Sequence, residues 1–337
     1  MRSVFVKLAL LLITLNRSLQ TLAVFYFGLE FLPLLIFYVV FLLYLLFTRY
    51  YFITLLYSIW YLYDVRACRK ERKGGRMLRN LTLWNYVRDY FPISLVTTSD
   101  MDPNKNYIFA IHPYTIFNFG AVCNFVTEAN DVSQMFPGFT TYLLTSKERF
   151  MFPIHREIIH SLGFRSSCDE SIDYLLTKNG VGNIVVINVG DLNDVFDSMP
   201  GKVTLNIMQH KKFILMAMKT GTSLVPVLSF GENDVYSQCA RDENCILRRI
   251  QRKITAITRT KFLLAYGRNF FQYLLGLIPL SEPIVTVVGK PLKVQKKEMP
   301  ADEEINHILD EYLKSLMELF HEITEAYGLC GLDLVIK

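Results

Sequence analysis

Apolar positions are distributed unevenly along the 337-residue chain. Residues 31 to 47 (FLPLLIFYVVFLLYLLF) form an uncharged apolar run, broken at Thr48-Arg49-Tyr50 and resumed as YFITLLYSIWYLY through Tyr63. Crossing a bilayer takes roughly 17 to 25 apolar residues. The first run lies at the lower end of that range and the second below it. The pattern predicts a hydrophobic helical hairpin over 31–63, either two crossings or a re-entrant dip, with both ends on one side. Arg49 at the tip is expected to snorkel or to mark a loop, and Tyr50, Tyr51, Trp60 and Tyr63 suit an interface. Upstream, Val4 to Leu15 (VFVKLALLLITL) is apolar behind Arg2, but Asn16-Arg17-Ser18 offers no small-residue cleavage site. That segment reads as a further membrane-associated helix rather than a signal peptide.

Beyond about residue 100 short β-like runs alternate with helical ones, as βα units require. Expected strands are Tyr107 to Ile111, Asn183 to Val189, Ser223 to Phe230 and Ile284 to Val288. The near-continuous apolar character of NIVVINV and SLVPVLSF predicts strands covered on both faces, hence a mostly parallel sheet flanked by helices. Helices are expected over Ser171 to Lys178, Lys211 to Thr220 and Asp302 to Tyr327, the last with Asp302 as N-cap and Gly328 as its stop. The fold class is α/β behind an N-terminal transmembrane or re-entrant hairpin. The division reads 1–65 membrane-associated, 66–100 basic linker and interfacial segment, and 101–337 a cytosol-facing domain.

Composition sharpens the membrane reading: 51% of residues are hydrophobic and 20% charged, with the apolar excess near the N-terminus. A net charge of +5 without a basic stripe interleaved with aromatics argues against nucleic acid. Basic residues instead gather at Arg66 to Arg79 (RACRKERKGGRMLR), which carries seven of them and one acid. That cluster either places the following domain in the cytosol and meets anionic headgroups or is a solvated linker. Six scattered cysteines form no Cys-x-x-Cys pair and read as reduced thiols.

Among candidate chemical groups, His112 ends the strand YIFAI and is followed by Pro113, so its imidazole sits where a strand gives way to a turn. Ligands and catalysis in α/β sheets gather at such ends, and a neutral imidazole can accept a hydroxyl proton. A lone histidine is also commonly a satisfied core residue. Asp191 and Asp194 follow the strand ending at Val189, and one of them could orient His112 or cap a helix. No Gly-x-Ser-x-Gly elbow, dinucleotide fingerprint or P-loop is present, and His155 and His160, five apart, miss the spacing of a helical zinc pair. Neither a cofactor nor a metal is expected.

The segments WNYVRDYFPISLV (84–96), NYIFAIHPYT (106–115), AVCNFVTEANDVSQMFPG (121–138), SIDYLLTKNGVGNIVVINVG (171–190), KTGTSLVPVLSFGEND (219–234), Tyr266-Gly267-Arg268 and TVVGKPL (286–292) together resemble the diacylglycerol O-acyltransferase type 2 family. That family includes monoacylglycerol and wax-alcohol acyltransferases. The resemblance runs from about residue 30 to the end. It implies transfer of an acyl group from acyl-CoA, as co-substrate, to the hydroxyl of diacylglycerol, at the endoplasmic reticulum membrane and on lipid droplets. His112 would be the base and Asp194 its orienter or electrostatic support. Pro113, Tyr114, Thr115 and Glu232 would contact substrate, Arg268 would help hold the CoA phosphates, and Phe31, Leu32 and Leu34 match a short neutral-lipid motif. Membrane lipids are implied partners, and a homo-oligomer is left open.

The chain departs from the family pattern at several site positions. The usual His-Pro-His-Gly reads His112-Pro113-Tyr114-Thr115, and a tyrosine is no base near neutral pH. The usual Gly-Gly-x-x-Glu reads Gly190-Asp191-Leu192-Asn193-Asp194, with its carboxylate one methylene shorter. Asp169 stands where an arginine is common, and His210 and Lys212 replace a basic residue and a glycine. These changes predict altered acceptor preference, with monoacylglycerol or a fatty alcohol as alternatives, or a lipid-binding relative of low turnover.

Overall fold

The computed structural model describes residues 2–30, 33–66, 75–239, 245–258, 265–268, 276, 278–328 and 332–337. Its strands are β1 (Ile93–Thr97), β2 (Tyr107–His112), β3 (Thr140–Thr145), β4 (Phe164–Ser166), β5 (Asn183–Asn188), β6 (Lys202–Leu205), β7 (Ser223–Phe230), β8 (Ser237–Gln238), β9 (Ala265–Tyr266), β10 (Ile284–Val288) and β11 (Asp333–Ile336). The helices are α1 (Arg2–Leu29), α2 (Pro33–Leu46), α3 (Tyr51–Arg66), α4 (Arg76–Arg79), α5 (Thr82–Tyr90), α6 (Phe119–Phe125), α7 (Val132–Met135), α8 (His155–Leu162), α9 (Asp169–Asp173), α10 (Lys212–Thr220), α11 (Ile246–Thr258) and α12 (Asp302–Ala326).

Seven strands form one sheet in the order β1-β10-β7-β2-β5-β3-β4. The five from β7 to β4 are mutually parallel, while β10 runs antiparallel to β7 and carries β1 parallel to itself. The four apolar runs expected to be strands are β2, β5, β7 and β10. In β2 every residue is buried, because alternate side chains serve two cores. Tyr107, Phe109 and Ile111 face a core with Phe91, Phe119 and Phe125, and Ala23 and Val24 of α1 belong to it. Ile108 and Ala110 face the other core, with Phe213 and Ile214 of α10 and Tyr312 and Leu316 of α12.

Three boundaries differ from the sequence expectation. β1 lies inside the stretch 66–100 set apart as a linker, yet it pairs along its whole length with β10, so the sheet begins before residue 100. α1 runs on to Leu29 instead of ending at Leu15. The polar residues that suggested a break are absorbed locally: Ser18 donates to the Thr14 carbonyl at 2.9 Å and Thr21 to that of Arg17 at 2.9 Å. In α12 the N-cap is Ala301, whose N–H donates to the Glu304 carboxylate at 2.9 Å, so Asp302 is helical.

Within α1, Leu10–Leu29 is long and apolar enough to cross a bilayer. α2 and α3 have 14 and 16 residues, about 21 and 24 Å at 1.5 Å per residue, short of a roughly 30 Å hydrocarbon core. They pack against one another, with Thr54 donating to the Leu42 carbonyl at 3.2 Å. Polar contacts fasten α3 to the domain. Tyr57 donates to Glu157 at 3.0 Å and accepts from the Ile154 N–H at 2.8 Å, and Tyr61 donates to the Met151 carbonyl at 2.8 Å. Cys123, Cys168, Cys239 and Cys245 are free thiols. Cys68, Cys330 and most of the basic cluster, residues 67–74, lie outside the described residues.

Candidate active site

A cavity of about 1150 Å³ lies beyond the carboxyl ends of β2, β3, β4 and β5, where an α/β sheet places its ligands. It is larger than the roughly 300–1,000 Å³ of ordinary small-molecule pockets. Tyr114 lines it from the turn after β2, Leu143 to Ser146 from the end of β3, Ser167 after β4 and Ile187 to Leu192 from the end of β5. It is also lined by Val24 to Leu29 of α1 and the following Glu30, by Leu35 of α2 and by the α8 residues His155, Ile158, Ile159 and Leu162. Most of these groups are apolar.

His112 continues the alternation of Ile108 and Ala110 and turns toward α12. Its Nε2 lies 2.9 Å from the Tyr312 hydroxyl, which in turn donates to the Ala110 carbonyl at 3.3 Å. A phenol has one proton, so with that proton on Ala110 the ring donates from Nε2 and keeps its lone pair on Nδ1. Burial at 1% exposure pushes the imidazole pKa down to about 3, because a charged ring is poorly solvated there. His112 is therefore a neutral imidazole oriented by a tyrosine. Asp194, expected to orient it, does not contact it.

Asp194 opens a turn of 3-10 helix, Asp194–Asp197, and spends its carboxylate on its own loop. Oδ2 accepts from the Asp191 N–H at 2.6 Å and Oδ1 from Asn206 at 2.7 Å. His210 Nε2 is 2.8 Å from Oδ2, in an orientation that makes the contact a close approach rather than an aligned hydrogen bond. The loop can close on Tyr114 because Gly190, at φ +146°, has no side chain: a Cβ there would sit 2.6 Å from Tyr114 Cβ and 2.9 Å from Asp194 Oδ2.

Of the His-Pro-Tyr-Thr turn, Tyr114 lines the cavity. Its hydroxyl pKa is raised, first by burial and then by Asp191 and Asp194, with Arg149 opposing, so it stays a neutral phenol. Thr115 is buried and braces the turn, donating to Asn118 Oδ1 at 2.6 Å and accepting the Asn118 N–H at 3.2 Å. Pro113 links the strand to this turn.

Two other expected substrate contacts are placed elsewhere. Glu232 accepts the Phe119 and Gly120 N–H groups at 3.1 and 2.6 Å, holding the first turn of α6. Arg268 lies over the Tyr90 ring at 5.1 Å, donates to the Tyr90 hydroxyl at 2.9 Å and reaches Thr21 of α1 at 3.3 Å. Neither is in the cavity wall, so an expected phosphate contact proves to be a tie between α5 and α1. Leu34 is half-buried in α2, whereas Phe31 and Leu32 lie outside the described residues.

The structure adds a polar strip that sequence reasoning missed. Arg149, Glu30 and His155 all line the cavity. Arg149 feels Tyr114 on one side and Glu30 on the other, although burial is the larger influence and lowers its pKa. Glu30 Oε2 lies 3.2 Å from His155 Nδ1. The available signal was Glu30 itself, an acid between two apolar helices, where an unpaired charge is costly. Among the described residues no group of three or more His, Cys, Asp or Glu could hold a metal ion.

Residues 43–337 match the family described as diacylglycerol acyltransferase. The chain is 41% identical over 254 residues to diacylglycerol O-acyltransferase 2 of Dictyostelium discoideum, covering 74% of this chain and 77% of that one. It is 39% identical over 315 residues to 2-acylglycerol O-acyltransferase 1 of Mus musculus, covering 94% of each. To diacylglycerol O-acyltransferase 2 of Homo sapiens it is 41% identical over 262 residues, covering 77% of this chain and 68% of that protein.

Proposed function

Since the chain belongs to the diacylglycerol acyltransferase family and is an acyltransferase, we propose that it transfers an acyl group from acyl-CoA to the free hydroxyl of diacylglycerol at the endoplasmic reticulum membrane. The observation that carries this reading is the composite cavity. It is lined by the carboxyl ends of the parallel strands together with α1 and α2, the apolar helices that would lie in the bilayer. A lipid acceptor then reaches the site without leaving the membrane. Exposed Phe37, Phe47, Ile59 and Leu62 on α2, α3 and their junction suit acyl chains around them. The basic segment from Arg66 would keep the sheet cytosolic, with lipid droplets as a second location.

In this mechanism His112, buried and outside the cavity lining although Tyr114 two residues on is part of it, would take the proton of the acceptor hydroxyl on Nδ1 as the hydroxyl oxygen attacks the thioester carbonyl carbon. The C–S bond breaks, the ester forms and the proton passes to the CoA thiolate. Tyr312 fixes the ring through Nε2, and the neutral Tyr114 hydroxyl, in the cavity wall, would donate to the developing oxyanion. Asp194 supports this arrangement indirectly, by shaping the loop that meets Tyr114. Half-buried Lys211 and exposed Lys212 line the cavity and would suit CoA phosphates.

Monoacylglycerol is a second reading, supported by the 94% coverage of the mouse 2-acylglycerol enzyme. The deciding assay offers labelled acyl-CoA with diacylglycerol, monoacylglycerol or fatty alcohol to membranes bearing this chain. Diacylglycerol is the expected acceptor. His112→Ala is expected to lose roughly 100-fold or more in kcat, the usual scale for a general base, and Tyr312→Phe a smaller factor with KM little changed. Full activity in His112→Ala removes that residue from the chemistry. Esterification of monoacylglycerol alone moves the acceptor.

A further inference from the structure

Glu30 follows α1 directly and gathers three partners. Oε1 accepts from the hydroxyls of Tyr26 at 3.1 Å and Tyr38 at 3.0 Å, and Oε2 faces His155 Nδ1 at 3.2 Å. An ionised carboxylate only accepts, so Nδ1 carries a proton and Nε2 is the ring atom left for another partner. His155 is 2% exposed, and its Nε2 is buried without a hydrogen-bond partner. Buried polar atoms are seldom left this way, because each loses its water without a replacement. The ring is held firmly, since the preceding Ile154, at φ +65°, gives its N–H to Tyr57 of α3. It stands in the cavity wall beside Ile158 and Ile159.

We propose that His155, clamped by Glu30, is a binding site for the hydroxyl group of a neutral lipid acceptor on the membrane-side wall of the cavity. A hydroxyl both donates and accepts, so a glyceride or alcohol O–H satisfies Nε2 whether or not that atom carries a proton. Phosphates and carboxylates are anions, which the adjacent Glu30 carboxylate repels, so the CoA end of the donor substrate does not fit. A triester has no hydroxyl left, so this contact is lost in a fully esterified product, which favours exchange of product for substrate.

The proposal rests on the reading of this cavity as the acceptor site, and its test is kept apart from turnover. Full-length protein in detergent micelles is incubated, without acyl-CoA, with labelled diacylglycerol or with its deoxy analogue in which hydrogen replaces the hydroxyl, and retained lipid is counted. The wild type is expected to retain diacylglycerol roughly tenfold better, the scale of one hydrogen bond. His155→Leu is expected to bind both lipids equally. Glu30→Gln keeps the side-chain shape but loosens control of the tautomer, so its preference should fall between the two. If His155→Leu fails to fold, judged by thermal melting, Glu30→Gln decides alone. Equal retention of the two lipids by the wild type, as when a water fills the Nε2 position, overturns the proposal, as does an undiminished preference in either variant. Failure of the wild type to transfer acyl groups would sink the function and leave this binding result standing.

Discussion

A neutral, buried histidine couples stability to pH. With the folded pKa of His112 near 3 against an ordinary 6.5, the unfolded chain binds a proton between those values that the folded chain does not. Stability therefore falls as pH drops through 6.5 toward 3, by up to about 1.4 kcal/mol per pH unit from this residue. His112→Gln removes the linkage, so melting temperatures taken between about pH 6.5 and pH 4.5 should decline less steeply in the variant than in the wild type. Identical slopes would mean that the ring titrates as a solvated one. The same depression keeps the base unprotonated in mild acid, and no acid limb in kcat/KM above about pH 5 should come from His112.

Single elements carry the site through contacts their own sequences do not announce. α6 is only seven residues long, too short to be stable from its own propensity. Its first turn depends on the Glu232 carboxylate from the loop after β7, which accepts two of its N–H groups. The fit is close: a Cβ on Gly120 would lie 2.8 Å from Glu232 Oε1. Replacing one acceptor oxygen by an amide, Glu232→Gln, is expected to cost about 1–2 kcal/mol, read as a lower melting temperature in the solubilised protein. Acceptor preference should not change, because the side chain lies outside the cavity wall. A shift in acceptor preference without loss of stability would restore Glu232 to the substrate contacts.

At the scale of the molecule, α1 is both an apolar helix long enough to cross a bilayer and part of the cavity wall. Ala23 and Val24 are buried in the core on one face of the sheet, and Val24 to Glu30 line the cavity. Removing Arg2–Leu29 should therefore do more than weaken membrane association. The truncated protein, supplied with lipid in mixed micelles, is expected to lose most of its acyl transfer while retaining the β-sheet signal in circular dichroism. A truncated form with full activity would reduce α1 to a tether and leave the composite cavity without function.

By itself the sequence determined the parallel sheet and the terminal helix. Runs such as NIVVINV and SLVPVLSF are buried on both faces, and continuous apolarity needs no partner to be recognised. The position of His112 at the end of β2 followed from strand and proline alone. Even its orientation was available in the alternation of Tyr107 to His112, which places His112 on the face of Ile108 and Ala110. The tertiary structure decided which groups meet. Tyr312 reaches His112 across 200 positions, and Glu30 reaches His155 across 125, so neither pair leaves a local spacing to read. β1, β3 and β4, with five, six and three residues, were too short or too mixed to stand out before their neighbours covered them. Periodicity reports which face of an element is buried. The identity of the partner across that face is set by how distant elements pack, and here that packing chose Tyr312 for His112 and Glu30, just after α1, for His155.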